Sequence, residues 1–160
     1  MKNKECSVCK KKFLKIIDLG MHPCADTFVK TQSVAKRLKK YPLQVGFCSC
    51  NHLTAVNKIS PNERYTKFDY SYTSDNSPVS RNHFYKISKI LIKRFNLKSE
   101  NSIIEIGSND GVFIKNLNPK FTVSVEPCSN FAHLTTRMKI PTYDEYWGDE
   151  VVDKILKDHG

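Results

Sequence analysis

Two groups of residues in this 160-residue chain have the types and spacing to do chemistry. The first is a set of four cysteines in two tight pairs, Cys6-Ser-Val-Cys9 and Cys48-Ser-Cys50. A structural zinc ion takes four thiolate or imidazole ligands in a tetrahedron, with Zn–S about 2.3 Å. Two close pairs, far apart in sequence, can clamp two loops around one such ion. The C-x-C pair has a tighter bite than C-x-x-C, so Cys24, His22 and His52 stand as reserve ligands. Cys24 taken alone reads as a small buried hydrophobe.

The second group surrounds Ser102–Gly111. An apolar run, Ser102–Ile106, enters the glycine-bracketed turn Gly107-Ser-Asn-Asp-Gly111, and a second run, Phe121–Val125, ends on Glu126. Strand, glycine turn, helix, strand and acidic residue is the order of a nucleoside-binding Rossmann-like half. A dinucleotide site needs G-x-G-x-x-G and must receive an anionic pyrophosphate. Here one glycine is missing, and Asp110 and Glu105 would oppose that charge. A cationic nucleoside cofactor such as S-adenosylmethionine suits the turn better. Gly107 and Gly111 would let it approach the backbone. Glu126 would accept hydrogen bonds from both ribose hydroxyls, its two oxygens matching two adjacent O–H donors.

The elements that must position these groups follow from pattern. Residues 1–58 form a domain too small for a large core, which a metal staple would help to fold. Gly20 and Pro23 break any helix around residues 17–28. Tyr41–Phe47 reads as a strand leading into the second cysteine pair. Residues 59–77 form a loop rich in aromatic rings and hydroxyls, including Phe68, Tyr70 and Tyr72, able to grip a sugar or to pack as a linker. Ser77-Pro78 starts a helix with a capping hydroxyl and proline at its first position. Its apolar face is Phe84, Ile87, Ile90, Leu91 and Phe95. His83 beside that face reads as a surface or packing residue.

Within 78–160 the expected order continues with a short helix over 111–117 and a turn at Asn118-Pro119. Strand Phe121–Val125, a helix around Asn130–Met138 and a short strand in 140–143 follow. A final amphipathic helix over 149–157 has Val151, Val152, Ile155 and Leu156 on one side. A parallel strand would be expected next in such a half, and the sequence shows none. The first strand of this sheet, normally central, would then have one exposed edge.

Composition bounds the remaining choices. Apolar content of 39% and charged content of 26% fit a globular protein. No apolar run is long enough to cross a bilayer, and the basic N-terminus has no signal-peptide core, so a cytoplasmic setting with no membrane partner is expected. Six cysteines in that setting favour metal over disulfides. A net charge of +10 suits an anionic partner or a solvated lysine-rich surface.

A longer set of motifs carries a resemblance. It comprises Cys6-x-x-Cys9, Asp18-Leu-Gly-Met-His-Pro23 with Ala25-Asp26, and Tyr41-Pro-Leu43. It continues through Tyr70-Ser-Tyr-Thr-Ser74, Glu105-Ile-Gly-Ser-Asn-Asp-Gly111 and Glu126-Pro-Cys-Ser-Asn130. In this order they resemble the zinc-containing sugar C-methyltransferases, which act on nucleotide-linked keto-hexoses. The resemblance implies an α/β fold, with a small zinc-binding N-terminal domain before an incomplete Rossmann-like methyltransferase domain. It implies zinc on Cys6, Cys9, Cys48 and Cys50. S-adenosylmethionine would be held by Glu105, Gly107, Asn109, Asp110, Gly111 and Glu126. A nucleotide-sugar pocket would receive Tyr70, Tyr72 and Ser74.

The C-x-C spacing and Cys128 depart from the family pattern. So does the length: the family's downstream half, with its catalytic tyrosine, glutamate and histidine, has no counterpart here. No catalytic base is assigned within 1–160, since Tyr70, Tyr72 and His83 are poor candidates. The expectation is a methyltransferase portion that is inactive alone, or one completed by a second chain. The alternative is a basic zinc-ribbon protein that binds nucleic acid beside a vestigial Rossmann half; with Glu105–Gly111 and Glu126 unexplained by it, nucleic acid is the weaker partner.

Overall fold

The computed structural model describes residues 5–56, 59–66, 70–117 and 121–160, without the side chains of residues 66 and 121. Phe68 of the aromatic loop and the Asn118-Pro119 turn lie outside the described residues. The chain is mixed α/β and divides into two compact units, 1–64 and 65–160.

The first unit is built on an antiparallel sheet ordered β1 (Leu14–His22), β2 (Tyr41–Phe47), β3 (Leu53–Ala55). The strand expected at 41–47 has those bounds. The nine-residue β1 was not expected: its pairing with β2 slips twice, between Lys15 and Ile17 and between Asp18 and Met21. These irregularities erase the two-residue alternation by which a strand is recognised. A short helix, α1 (Gln32–Arg37), is capped by the Thr31 hydroxyl, which accepts from the Val34 N–H. Gly46 in β2 is buried beneath the Phe13 ring, and a Cβ there would overlap that ring.

The second unit opens with α2 (Pro78–Phe95), which buries Ser88 and ends at Asn96 in the left-handed conformation. The Ser77 hydroxyl makes no capping bond, a correction to the expected cap; the Ser77 carbonyl accepts from Arg81 N–H instead. A parallel sheet follows in the order β4 (Ser102–Ile106), β5 (Phe121–Val125), β6 (Thr142–Tyr143). β4 therefore lies at one end, next to β5 alone among the described strands. The helix expected over 111–117 is only a 3₁₀ turn at Ile114–Asn116.

Two helices, α3 (Ser129–Arg137) and α4 (Asp149–His159), complete this unit. Val151 and Ile155 of α4 pack on Val123 and Val125 of β5 to form its core. Leu156, expected on the buried side of α4, is exposed instead, one position past the stripe. On α3, Thr135 meets Ser124 of β5 and Thr142 at 3.4 and 2.9 Å, and Ser124 meets Ser108 at 2.6 Å. This chain of buried hydroxyls satisfies polar groups that would be costly alone.

The Phe13–Gly46 contact predicts that Gly46→Val destabilises the chain by about 1–3 kcal/mol through overpacking. A thermal melt of the zinc-loaded protein checks this, and an unchanged melting temperature would refute the contact.

Candidate metal centre and acidic turn

In the first unit, two tight turns present the four cysteines. Cys6 accepts at its carbonyl from Lys10 N–H at 3.0 Å and donates its N–H to Lys11 at 2.8 Å. Cys48 accepts from Asn51 N–H at 2.9 Å and donates to His52 at 3.0 Å. Lys10 and Asn51 both take positive φ, which reverses the chain sharply behind each pair.

The turns bring Cys6, Cys9, Cys48 and Cys50 together, with all four sulfurs within 4.8 Å of one another. Cys6 Sγ lies 3.7 Å from Cys50 Sγ, and Cys9 Sγ lies 3.3 Å from Cys48 Sγ. A zinc tetrahedron with Zn–S of about 2.3 Å has S–S edges of about 3.8 Å, so the cluster fits the ion. The Cys50 backbone N–H, with the Cys9 thiol second, brings the Cys48 thiol down to about 6. The Cys9 contact, followed by burial, pushes Cys50 up to about 12. Neighbouring thiolates resist simultaneous ionisation, and a cation removes that resistance.

The reserve ligands are elsewhere. His52 Nε2 meets Ser7 Oγ at 3.1 Å, and His22 Nε2 meets the Leu19 carbonyl at 2.7 Å. Cys24 is not in the cluster.

In the second unit, Gly107 and Gly111 take φ of 74° and 75°, as the bracketed turn requires. Gly107 N–H continues the ladder to the Val125 carbonyl at 2.8 Å. A Cβ on Gly111 would press on Thr135 of α3 and on Met138 just after it, whereas one on Gly107 would meet nothing within 4 Å. The turn thus packs closely on one side and is open on the other.

Its side chains hold backbone. Glu126 is buried; its Oε2 accepts from Asn109 N–H at 2.7 Å and its Oε1 from Cys128 N–H at 2.9 Å. Asn109 Oδ1 accepts from Ser74 N–H at 3.2 Å, and Asn109 Nδ2 donates to the Tyr72 carbonyl at 3.0 Å. Asp110 accepts from Asp75 N–H at 2.6 Å and from Val112 N–H at 3.2 Å. Asn130 Nδ2 adds a bond to the Tyr70 carbonyl at 3.1 Å, and Lys115 pairs with Asp75 at 2.9 Å. The aromatic loop is therefore clasped to the turn. Sequence spacing did not reveal this clasp, because its bonds span 35 to 60 residues of chain.

Within the loop, the Tyr70 ring stacks edge-on against Tyr65 and Phe131, at 5.5 and 6.2 Å. Tyr72 is exposed, and Ser74 begins a 3₁₀ turn. His83 is exposed and packs edge-on against Phe84.

Glu105 stands beside Asp110 and Glu126. Burial pushes its carboxyl up to about 8, the two neighbouring carboxylates add to this, and the Ile114 N–H opposes it. Its Oε2 is buried without a hydrogen-bond partner among the described residues. Three acids crowd one turn, and one of them is held protonated near neutrality.

Comparison with known proteins bears on both sites. Residues 6–65, the segment holding the cysteine cluster, match the family model Methyltransf_13, described as "Putative zinc binding domain". The chain is also 25% identical over 161 residues to the C-methyltransferase NovU of Streptomyces niveus. The resemblance to the C-methyltransferases holds. The alignment covers 98% of this chain and 38% of that relative, so the chain spans well under half of its length. No helix among the described residues is long and apolar enough to cross a membrane.

Two outcomes are expected. Zinc analysis of the purified chain should find one ion per chain, and Cys48→Ser should lose it and lower the melting temperature; an unaltered zinc content would contradict the cluster. Glu105 ionises near 4.5 when unfolded and near 8 when folded. The native state therefore holds the extra proton between these values, and the stability it confers is lost as pH rises through 8. Glu105→Gln stays neutral, so its melting temperature should match the parent near pH 4.5 and exceed it by about 5 °C above pH 8. A pH-independent difference would contradict the carboxyl crowding.

Proposed function

We propose that this chain is the zinc-binding and cofactor-binding portion of an S-adenosylmethionine-dependent C-methyltransferase acting on a nucleotide-linked keto-hexose. The second unit is read as a Rossmann-like half. The observation that carries this reading is the acidic glycine turn at the carboxyl ends of two parallel strands, where open α/β sheets take their ligands. The likeness to a C-methyltransferase supports it.

The residues fit the cofactor. Gly107 faces open space, and the buried Glu105 oxygen lacks a partner. Glu105, Asp110 and Glu126 would draw a cation into the turn and repel a pyrophosphate. S-adenosylmethionine, when bound, supplies an electrophilic methyl group on its sulfonium. Glu126 would meet the ribose through its remaining lone pairs, while its present bonds fix Asn109 and Cys128. Asn109 and Asp110 would act through the loop, setting Tyr72 and Ser74 where the sugar is received. The zinc cluster has a structural task, since four protein ligands leave no open position. Deprotonation of the sugar beside its keto group needs a base, for which no described residue is assigned. That base would come from sequence beyond the matched portion or from a second chain.

Calorimetric titration with S-adenosylmethionine tests the reading. The parent chain should bind, and Glu105→Gln should bind about tenfold more weakly, a loss of about 1.4 kcal/mol. That variant is also expected to be more stable at alkaline pH, so the loss would not be one of folding. No cofactor binding, together with salt-sensitive binding to duplex DNA, would favour the basic zinc-domain alternative.

A further inference from the structure

The parallel sheet of the second unit presents three strand ends side by side. Gly107 N–H donates to the Val125 carbonyl at 2.8 Å, and Glu126 N–H donates to the Tyr143 carbonyl at 2.9 Å. The glycine turn after β4, Glu126 after β5 and Asp144 after β6 therefore stand in one row. Neighbouring strands are about 4.8 Å apart, so the row is about 10 Å long. A nucleoside laid across the strand ends spans such a row. In the function proposed above, the sulfonium lies at the first of these ends and the ribose at the second.

The third end has a cavity of its own. Residues 144–151, from the end of β6 into α4, line a space of about 670 Å³, within the range of small-molecule sites. Tyr146 and Trp147 on its wall are 40% and 45% exposed. A Cβ on Gly148 would meet nothing within 4 Å, so the backbone beside the rings is open. A single exposed ring needs no explanation. Two adjoining rings on a cavity at the carboxyl edge of a parallel sheet stand where such sheets take their ligands.

The chemistry of the wall selects the occupant. Aromatic rings offer a flat face to a planar ligand, and bases stack on them readily. Asp144, Glu145, Asp149 and Glu150 also line the cavity. Carboxylates accept from an exocyclic amino group, which adenine carries. They oppose phosphate, and residues 144–153 hold five Asp and Glu and no Lys or Arg. The base of a nucleotide-linked sugar would bring its diphosphate into this loop. The base of a phosphate-free nucleoside would not.

We infer, on the cofactor reading proposed above, that Trp147, with Tyr146 beside it, stacks on the adenine of S-adenosylmethionine. The loop after β6 fixes the base while Glu126 holds the ribose.

Trp147 is the only tryptophan in the chain, so its emission reports on the base directly. Fluorescence titration of the zinc-loaded full chain, run beside calorimetry, tests the inference. S-adenosylmethionine and S-adenosylhomocysteine should quench the emission with the same midpoint as the heat of binding. S-methylmethionine, a sulfonium without a base, should leave the emission unchanged, and so should uridine diphosphate. Trp147→Ala should weaken S-adenosylmethionine binding by about tenfold. Trp147→Phe keeps a flat ring and should restore most of the affinity, with the melting temperature unchanged. Heat of binding without quenching, or parental affinity in Trp147→Ala, would overturn the inference and leave the cofactor reading standing. Quenching by uridine diphosphate would overturn it too, by giving the cavity to a nucleotide. No heat from S-adenosylmethionine would overturn both.

Discussion

Three carboxyl groups, Glu105, Asp110 and Glu126, converge on a turn of five residues, and the second unit is arranged to tolerate them. Like charges at this spacing cannot all ionise without compensation. Two of the three are compensated by backbone: Glu126 by the N–H groups of Asn109 and Cys128, Asp110 by those of Asp75 and Val112. Glu105 is not fully compensated, and its carboxyl is driven toward the neutral form. The same amides that satisfy the acids also fix the turn against β5 and clasp the aromatic loop to it. Electrostatic crowding and local rigidity therefore have one source. A turn built in this way is poorly suited to phosphate and well suited to a cation.

The first unit meets a different constraint. Its sheet buries little, and in the cluster Cys6 and Cys48 are fully buried. A unit of this size gains little from apolar burial. A metal ion held by the four cysteines would replace part of the missing core by tying the two ends of the sheet region together. That explains why the turns behind Cys6 and Cys48 are hydrogen-bonded so alike although their spacings differ.

Some of this was legible in the sequence. The cysteine cluster follows from spacing, because a pair two or three residues apart must fold back on itself wherever its partner comes from. β4 and β5 are short apolar runs ended by a glycine and an acid, and both have the expected bounds. β1 was not legible, since two register slips and Gly20 disrupt its alternation. The shortening of the helix after Gly111 to a single 3₁₀ turn was not legible either. Nor was the clasp: Asn109 and Asp110 look like ligand-facing residues in one dimension, and only the tertiary return of residues 70–76 shows what their side chains hold. Leu156 fits the helical period but falls beyond the strands that α4 covers.

Proton linkage offers the most direct measurement of the central claim, that this acidic turn receives a cationic nucleoside. Titration with S-adenosylmethionine near pH 7 in two buffers of different ionisation enthalpy counts the protons exchanged on binding. If the sulfonium settles among the three acids, the neutral Glu105 carboxyl must ionise, and binding releases a fraction of a proton, about one at most. Binding with no proton release, or with uptake, would place the cation elsewhere and contradict the account.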